Sequence, residues 1–107
     1  LKELYLRKNQ LNFIADKVFN HLNRLNILDL SLNNLTKLEN STFDNMALLE
    51  YLNLSFNFLS KIQNRHFSDL NNLVDLDLSH NFIQSIEENS FNYFFKLKNL
   101  FLNSNPI

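Results

Sequence analysis

The sequence predicts an α/β solenoid, a stack of coils that each add one short strand to a curved parallel sheet on the concave side. Loops and short helical turns are expected to carry the chain back over the convex side. Three observations lead there. The phrases Leu-Asp-Leu-Ser-Leu-Asn (28–33), Leu-Asn-Leu-Ser-Phe-Asn (52–57) and Leu-Asp-Leu-Ser-His-Asn (76–81) recur at a spacing of 24 residues, and a fixed period of this size is the signature of stacked repeats. Within each phrase the leucines are two apart, so an extended strand puts them on one side and the intervening residues on the other. Glycine is absent and proline occurs once, whereas asparagine occurs 20 times, so turns with unusual backbone angles must lean on Asn.

Taken in order, the chain divides into units 1–24, 25–48, 49–72 and 73–96 and a partial unit 97–107. Leu1, Leu25, Leu49, Leu73 and Leu97 open the units. Leu4 and Leu6, with their equivalents Leu28 and Leu30, Leu52 and Leu54, Leu76 and Leu78, and Leu100 and Leu102, supply the buried side of each strand. Stacked about 4.8 Å apart, five such strands form a parallel sheet roughly 20 Å across. Asn9, Asn33, Asn57, Asn81 and Asn105 follow where the chain leaves the sheet. A carboxamide there offers donor and acceptor to backbone groups that would otherwise be buried without partners, so each Asn is expected to bridge neighbouring coils. Phe19, Phe43, Phe67 and Phe91 are expected to stack as an aromatic spine under the outer side. Polar stretches such as 15–18 and 87–90 read as turns or single helical turns. One coil cannot bury its own core, so the end coils need caps, and none is recognisable within the chain.

The pattern Leu-x-x-Leu-x-Leu-x-x-Asn-x-Leu-x-x-Ile, with Phe and Leu later in the unit, resembles the leucine-rich repeat in its typical 24-residue form along the whole chain. The Phe-containing unit is similar to those of extracellular members of that family. It lacks the Gly-Ile-Pro phrase of plant receptor repeats and the longer unit of cytosolic inhibitors. Asn105-Pro106-Ile107 matches the phrase that often precedes a cysteine-rich cap. The resemblance therefore implies a slice from the C-terminal part of an extracellular domain, most like a Toll-like receptor ectodomain. Its implied task is innate-immune recognition of a protein or microbial ligand on the concave face or its edge, with a second receptor chain as a further partner. A secreted matrix or adhesion protein and an intracellular scaffold remain alternatives.

If the fixed columns build the scaffold, the varied ones are free to recognise a partner. The open side of the strands carries Glu3-Tyr5-Arg7, Ile27-Asp29-Ser31, Tyr51-Asn53-Ser55, Asp75-Asp77-Ser79 and Asn99-Phe101-Asn103. Most of these fit an ordinary solvated sheet. Two groups rise above that level. Tyr5, Tyr51 and Phe101 are the expected anchors on the sheet, beside an acidic centre of Asp29, Asn53, Asp75 and Asp77 and a basic first coil with Arg7. Leu32, Phe56, Phe58 and Phe82 gather along the edge, rimmed by Lys8, Asn34 and His80, as a contact patch or as rings that fold down and seal gaps between loops.

Several classes of function are disfavoured. A net charge of −1 gives no electrostatic reason to expect nucleic acid. No run of about 18 apolar residues is present, so a membrane enters only through a span outside this sequence. Without cysteine there is neither thiolate nor sulfur metal site, and His21, His66 and His80 fall in separate places. With no glycine there is no phosphate-cradling loop, and no nucleophile, base and orienting group converge, so neither an enzyme nor a cofactor is expected. Asp75 and Asp77 offer too few oxygens for calcium. Asn34, Asn40 and Asn53 head N-glycosylation sequons. Composition alone yields roughly two such sequons, so they carry little weight for location.

Overall fold

The computed structural model describes residues 1–107 as a stack of coils built on seven short strands, β1 (Glu3–Tyr5), β2 (Ile27–Asp29), β3 (Tyr51–Asn53), β4 (Lys61–Ile62), β5 (Asp75–Asp77), β6 (Ser85–Ile86) and β7 (Asn99–Phe101). The concave sheet runs β1-β2-β3-β5-β7, with every neighbour parallel. Its register equals the sequence period: Leu4 lies opposite Leu28, Leu28 opposite Leu52, Leu52 opposite Leu76 and Leu76 opposite Leu100. A one-residue slip would turn the leucines to water and the polar column into the core, which is why the register holds. A second ladder, not anticipated from the sequence, pairs β4 with β6 in parallel on the flank.

Twenty apolar side chains form one core, and the leucines of the inner coils, such as Leu28, Leu30, Leu54, Leu76 and Leu78, are fully enclosed. At about 25 cal/mol per Å2, burying one such side chain stabilises the fold by roughly 1.5–3 kcal/mol. Apolar side chains at the two ends of the stack, including Leu1, Phe13 and Ile107, remain exposed.

The asparagines bridge the coils. The Asn57 Nδ2 donates to the carbonyl of Leu30 in the preceding coil at 3.0 Å and to those of Leu54 and Ser55 in its own, while its Oδ1 accepts from the Leu35 N–H. Asn33 and Asn81 repeat the arrangement one period away and Asn105 two periods away. Asn9 reaches only Leu6 and Arg7 of its own coil.

Just before each of these asparagines the backbone turns into the left-handed region, at Lys8 (φ 61°), Leu32 (55°), Phe56 (56°), His80 (56°) and Ser104 (60°). The N–H groups of Lys8, Leu32, Phe56 and His80 still find the next coil, as the Phe56 N–H does with the Ser79 carbonyl at 3.1 Å. The conformation is thus enforced by the stack, at residue types that rarely adopt it.

One expectation is narrowed and another needs correction. The convex segments hold no helix: they run as separate turns such as Val18 N–H to the Ala15 carbonyl and Leu22 N–H to the Phe19 carbonyl. Left-handed residues Lys17, Asn45 and Asn89 interrupt the right-handed run that a helical turn needs. The buried side chains of Thr42 and His66 instead accept the N–H of Glu39 and Gln63, three residues earlier. The aromatic spine also departs from plan. Phe19, Phe43 and Phe67 stack at 6.4 and 6.1 Å, but Phe67 next meets Phe94 at 5.8 Å, and Phe91 packs behind Phe94. Phe94 replaces the Leu22, Met46 and Leu70 of its column, and its larger ring takes the slot.

Candidate functional site

Two hollows gather residues singled out from the sequence. The first is on the concave sheet, about 470 Å3, lined by Tyr5, Asp29, Tyr51, Asn53, Asp75, Asp77 and Phe101 over a floor that includes Ile27, Leu28 and Leu52. Seven of the eight sheet residues singled out from the sequence therefore meet in one place. Arg7 is exposed and outside the lining, as are Lys2 and Lys8.

The aromatic rings stand exposed at separate points of this hollow, held by strands whose other face is locked in the core. The register sets each beside a carboxylate: Tyr5 lies opposite Asp29, Tyr51 opposite Asp75, and Phe101 opposite Asp77. The 24-residue columns already contained this pairing, but reading the aromatics and the acids as separate groups missed it.

The third residue of the inner trios does not face solvent as expected. Ser31, Ser55 and Ser79 are buried, because each hydroxyl turns back along its own strand. The Ser31 Oγ donates to the Asp29 Oδ1 at 2.6 Å, the Ser55 Oγ to the Asn53 Oδ1 at 2.7 Å, and the Ser79 Oγ to the Asp77 Oδ1 at 2.6 Å. The backbone N–H of each serine donates to the same oxygen. Asp75 accepts from the Asn99 Nδ2 across the strands. No lysine or arginine comes within ion-pair distance of Asp29, Asp75 or Asp77; the one ion pair is Lys37 with Glu39 at 3.5 Å. The Tyr5 hydroxyl donates to the Glu3 Oε1 at 2.8 Å, and that bond, with slight desolvation and the charges of Glu3 and Asp29, raises its pKa above the usual value.

The second hollow, about 370 Å3, follows the edge where the chain leaves the sheet and is lined by Leu32, Asn34, Phe56, Phe58, His80 and Phe82 with the ladder residues Asn33 and Asn57. All four apolar edge residues meet here. Phe56, Phe58 and Phe82 are 47%, 48% and 53% exposed, so their rings stand at the surface and do not fold down into gaps. They stack between coils, Phe58 on Phe82 at 5.6 Å and Phe56 on His80 at 4.2 Å. His80, expected at the rim, is therefore part of the wall. Asn34 and Asn40 are exposed, whereas Asn53 is half-buried in the floor of the concave hollow.

The histidines stay apart, and no group of three potential ligands is placed to hold a metal ion. His66 is buried, its Nδ1 accepting the Gln63 N–H at 3.1 Å and its Nε2 without a partner. Burial lowers its pKa, against the opposing influence of the Leu38 backbone and the charges of Glu87 and Glu39.

The architecture is shared with known structures. The leucine-rich repeat domain of APL1B superposes with a TM-score of 0.91 at 28% identity, over 97% of this chain and 31% of that one. A chain in the structure of the Toll–Spatzle complex of Drosophila superposes with a TM-score of 0.89 at 36% identity, over 91% of this chain and 13% of that one. The chain thus spans less than a third of either. No curated protein matches the sequence. The sequence model described as "Leucine rich repeat" matches residues 1–59 and 49–107, and the chain belongs to the leucine-rich repeat family.

Proposed function

We propose that this domain is the recognition module of an extracellular receptor of the Toll-like kind, acting in innate immunity by binding a protein or microbial ligand and performing no catalysis. The observation that carries this reading is the concave hollow, where Tyr5, Tyr51 and Phe101 stand exposed on a sheet that cannot rearrange without breaking the core. Exposed aromatics on a rigid surface dominate contact energies, because little ordering is needed on binding. Similarity to Toll, whose structure is that of a complex with Spatzle, supports a protein ligand. The Phe56–Phe82 edge serves a second contact, such as another receptor chain, and the exposure of its stacked rings favours it.

Surface plasmon resonance of the protein against Spatzle and microbial wall fragments tests the reading. Binding weakened at least tenfold by Tyr51→Ser, with unchanged circular dichroism, is the expected outcome. Phe56→Ser combined with Phe58→Ser is expected to weaken the edge contact at constant melting temperature, and loss of folding would mark those rings as structural. Peptide mapping of protein secreted from insect cells is expected to find glycan on Asn40. A chain confined to the cytosol with bare sequons would point to the scaffold alternative.

A further inference from the structure

We infer that the concave hollow receives a basic protein segment whose arginine or lysine side chains seat on three in-register aromatic–aspartate pairs. The inference rests on the recognition reading above and names the chemistry of the partner.

The pairs are Tyr5 with Asp29, Tyr51 with Asp75, and Phe101 with Asp77, each on directly opposed positions of neighbouring strands. Opposed side chains on one face of a sheet are about 5 Å apart, so a cation between the members of a pair touches ring and carboxylate together. An arginine fits best, since its plane stacks on the ring while its N–H groups meet the carboxylate.

The charge in the hollow is not required by the fold. Asp29 and Asp77 each hold a serine through one oxygen, and Asn53 holds Ser55 in the same way without a charge. The turns would therefore form equally well with Asn at all three positions, and the two negative charges are surplus to them. Nothing in the chain neutralises them: the lining includes no Lys, Arg or His, and none of the three aspartates has an ion-pair partner. Asn53 sits in register between Asp29 and Asp77, which keeps like charges off directly opposed positions. Both pinned carboxylates keep their second oxygen free.

The spread of the pairs selects a polypeptide over a small cation. From β1 to β7 the sheet takes four steps of about 4.8 Å, so the outer pairs lie too far apart for one ammonium group or metal ion. A segment with two or three basic side chains spans them. The edge hollow, with Leu32, Phe56 and Phe82 beside His80, offers no carboxylate and is not expected to compete.

The test uses nona-arginine as the probe, with nona-glutamate and an uncharged peptide of the same length as controls, titrated calorimetrically into the protein at low and physiological salt. Nona-arginine alone should bind. The triple variant Asp29→Asn, Asp75→Asn and Asp77→Asn should weaken it at least tenfold and flatten the salt dependence, with an unchanged melting temperature. Tyr51→Ser with Phe101→Ser should weaken it severalfold at constant charge. Glu50→Gln with Glu88→Gln, outside the hollow, should leave it unchanged. Equal affinity of the triple variant, or an equal loss in the Glu50 and Glu88 variant, would overturn the inference, because attraction would then be general surface charge. A protein ligand held with full strength by the triple variant would also overturn it while leaving the recognition reading intact. Aspartate-dependent nona-arginine binding in a protein without any extracellular ligand would uphold the pairs and remove the receptor reading instead.

Discussion

Replacing Asn57 by alanine isolates what the asparagine ladder contributes. Four hydrogen bonds vanish: three from Nδ2 to the carbonyls of Leu30, Leu54 and Ser55, and one from the Leu35 N–H to Oδ1. The site is dry, with Asn57 2% and Leu35 0% exposed, so water cannot take over. A buried N–H left without an acceptor costs about 1–3 kcal/mol, and each lost bond to the carbonyls about 0.5–1.5 kcal/mol. Allowing for relaxation, the loss is about 3–5 kcal/mol, a large share of the 5–15 kcal/mol by which a typical domain is stable. Asn9→Ala is the matched control. Its Nδ2 reaches only Leu6 and Arg7, no N–H depends on its oxygen, and the residue is exposed, so water replaces it at a cost below about 1 kcal/mol. Urea unfolding followed by far-ultraviolet circular dichroism measures both variants. Repeat stacks can unfold in parts, so the slope with denaturant must be compared as well as the midpoint. Losses within about 1 kcal/mol of each other would refute the claim that the bridge between coils, more than the turn within a coil, is what the carboxamide stabilises.

Phe43→Ala should cost about 3–5 kcal/mol, since Phe43 is enclosed between Phe19 and Phe67, and calorimetric melting should show it. His66 has a folded-state pKa below that of the unfolded chain, so the unfolded form binds protons first; stability present above about pH 6.5 should fall as pH drops below that value. The same scan on His66→Thr, which copies the Thr42 cap, should lose that part of the pH dependence. Lys8→Asn should raise stability by about 0.5–1 kcal/mol, because Asn tolerates the left-handed angle and the exposed lysine gives up no packing; an unchanged melting temperature would count against strain at that column.

The scaffold was legible because a repeat states its constraints several times over. Leu28, Leu52 and Leu76 must agree in chemistry for the coils to stack, and their spacing fixes both the register and the sheet order. What escaped notice occurs once or depends on a local rotamer. Phe94 could be read as another apolar residue of its column, and only its size, worked out against Phe67, shows that it displaces Phe91 from the spine. Strand alternation placed Ser31 on the open face, yet its hydroxyl has a better partner in Asp29 than in water, so the side chain turns in. The missing helical turns have a similar origin: a left-handed angle at Lys17 is not written in a residue that also fits a helix.

Column 29, 53, 77 shows how one position can carry a structural and a recognition duty without conflict. The turn needs a single oxygen aimed at the next serine, a demand that Asp and Asn meet alike. The choice between them is then set by what approaches from outside. Because the serine also fixes the rotamer, the free oxygen of Asp29 or Asp77 is already oriented before any partner arrives, and a partner loses less entropy in meeting it. A mobile surface aspartate would have to be ordered at the moment of binding, at about 0.5–1.5 kcal/mol per immobilised side chain. Removing the anchor while keeping the charge, as in Ser79→Ala, should therefore weaken a cationic partner through slower capture or faster loss even though Asp77 is retained. An affinity unchanged by Ser79→Ala would mean that the serine serves the turn alone.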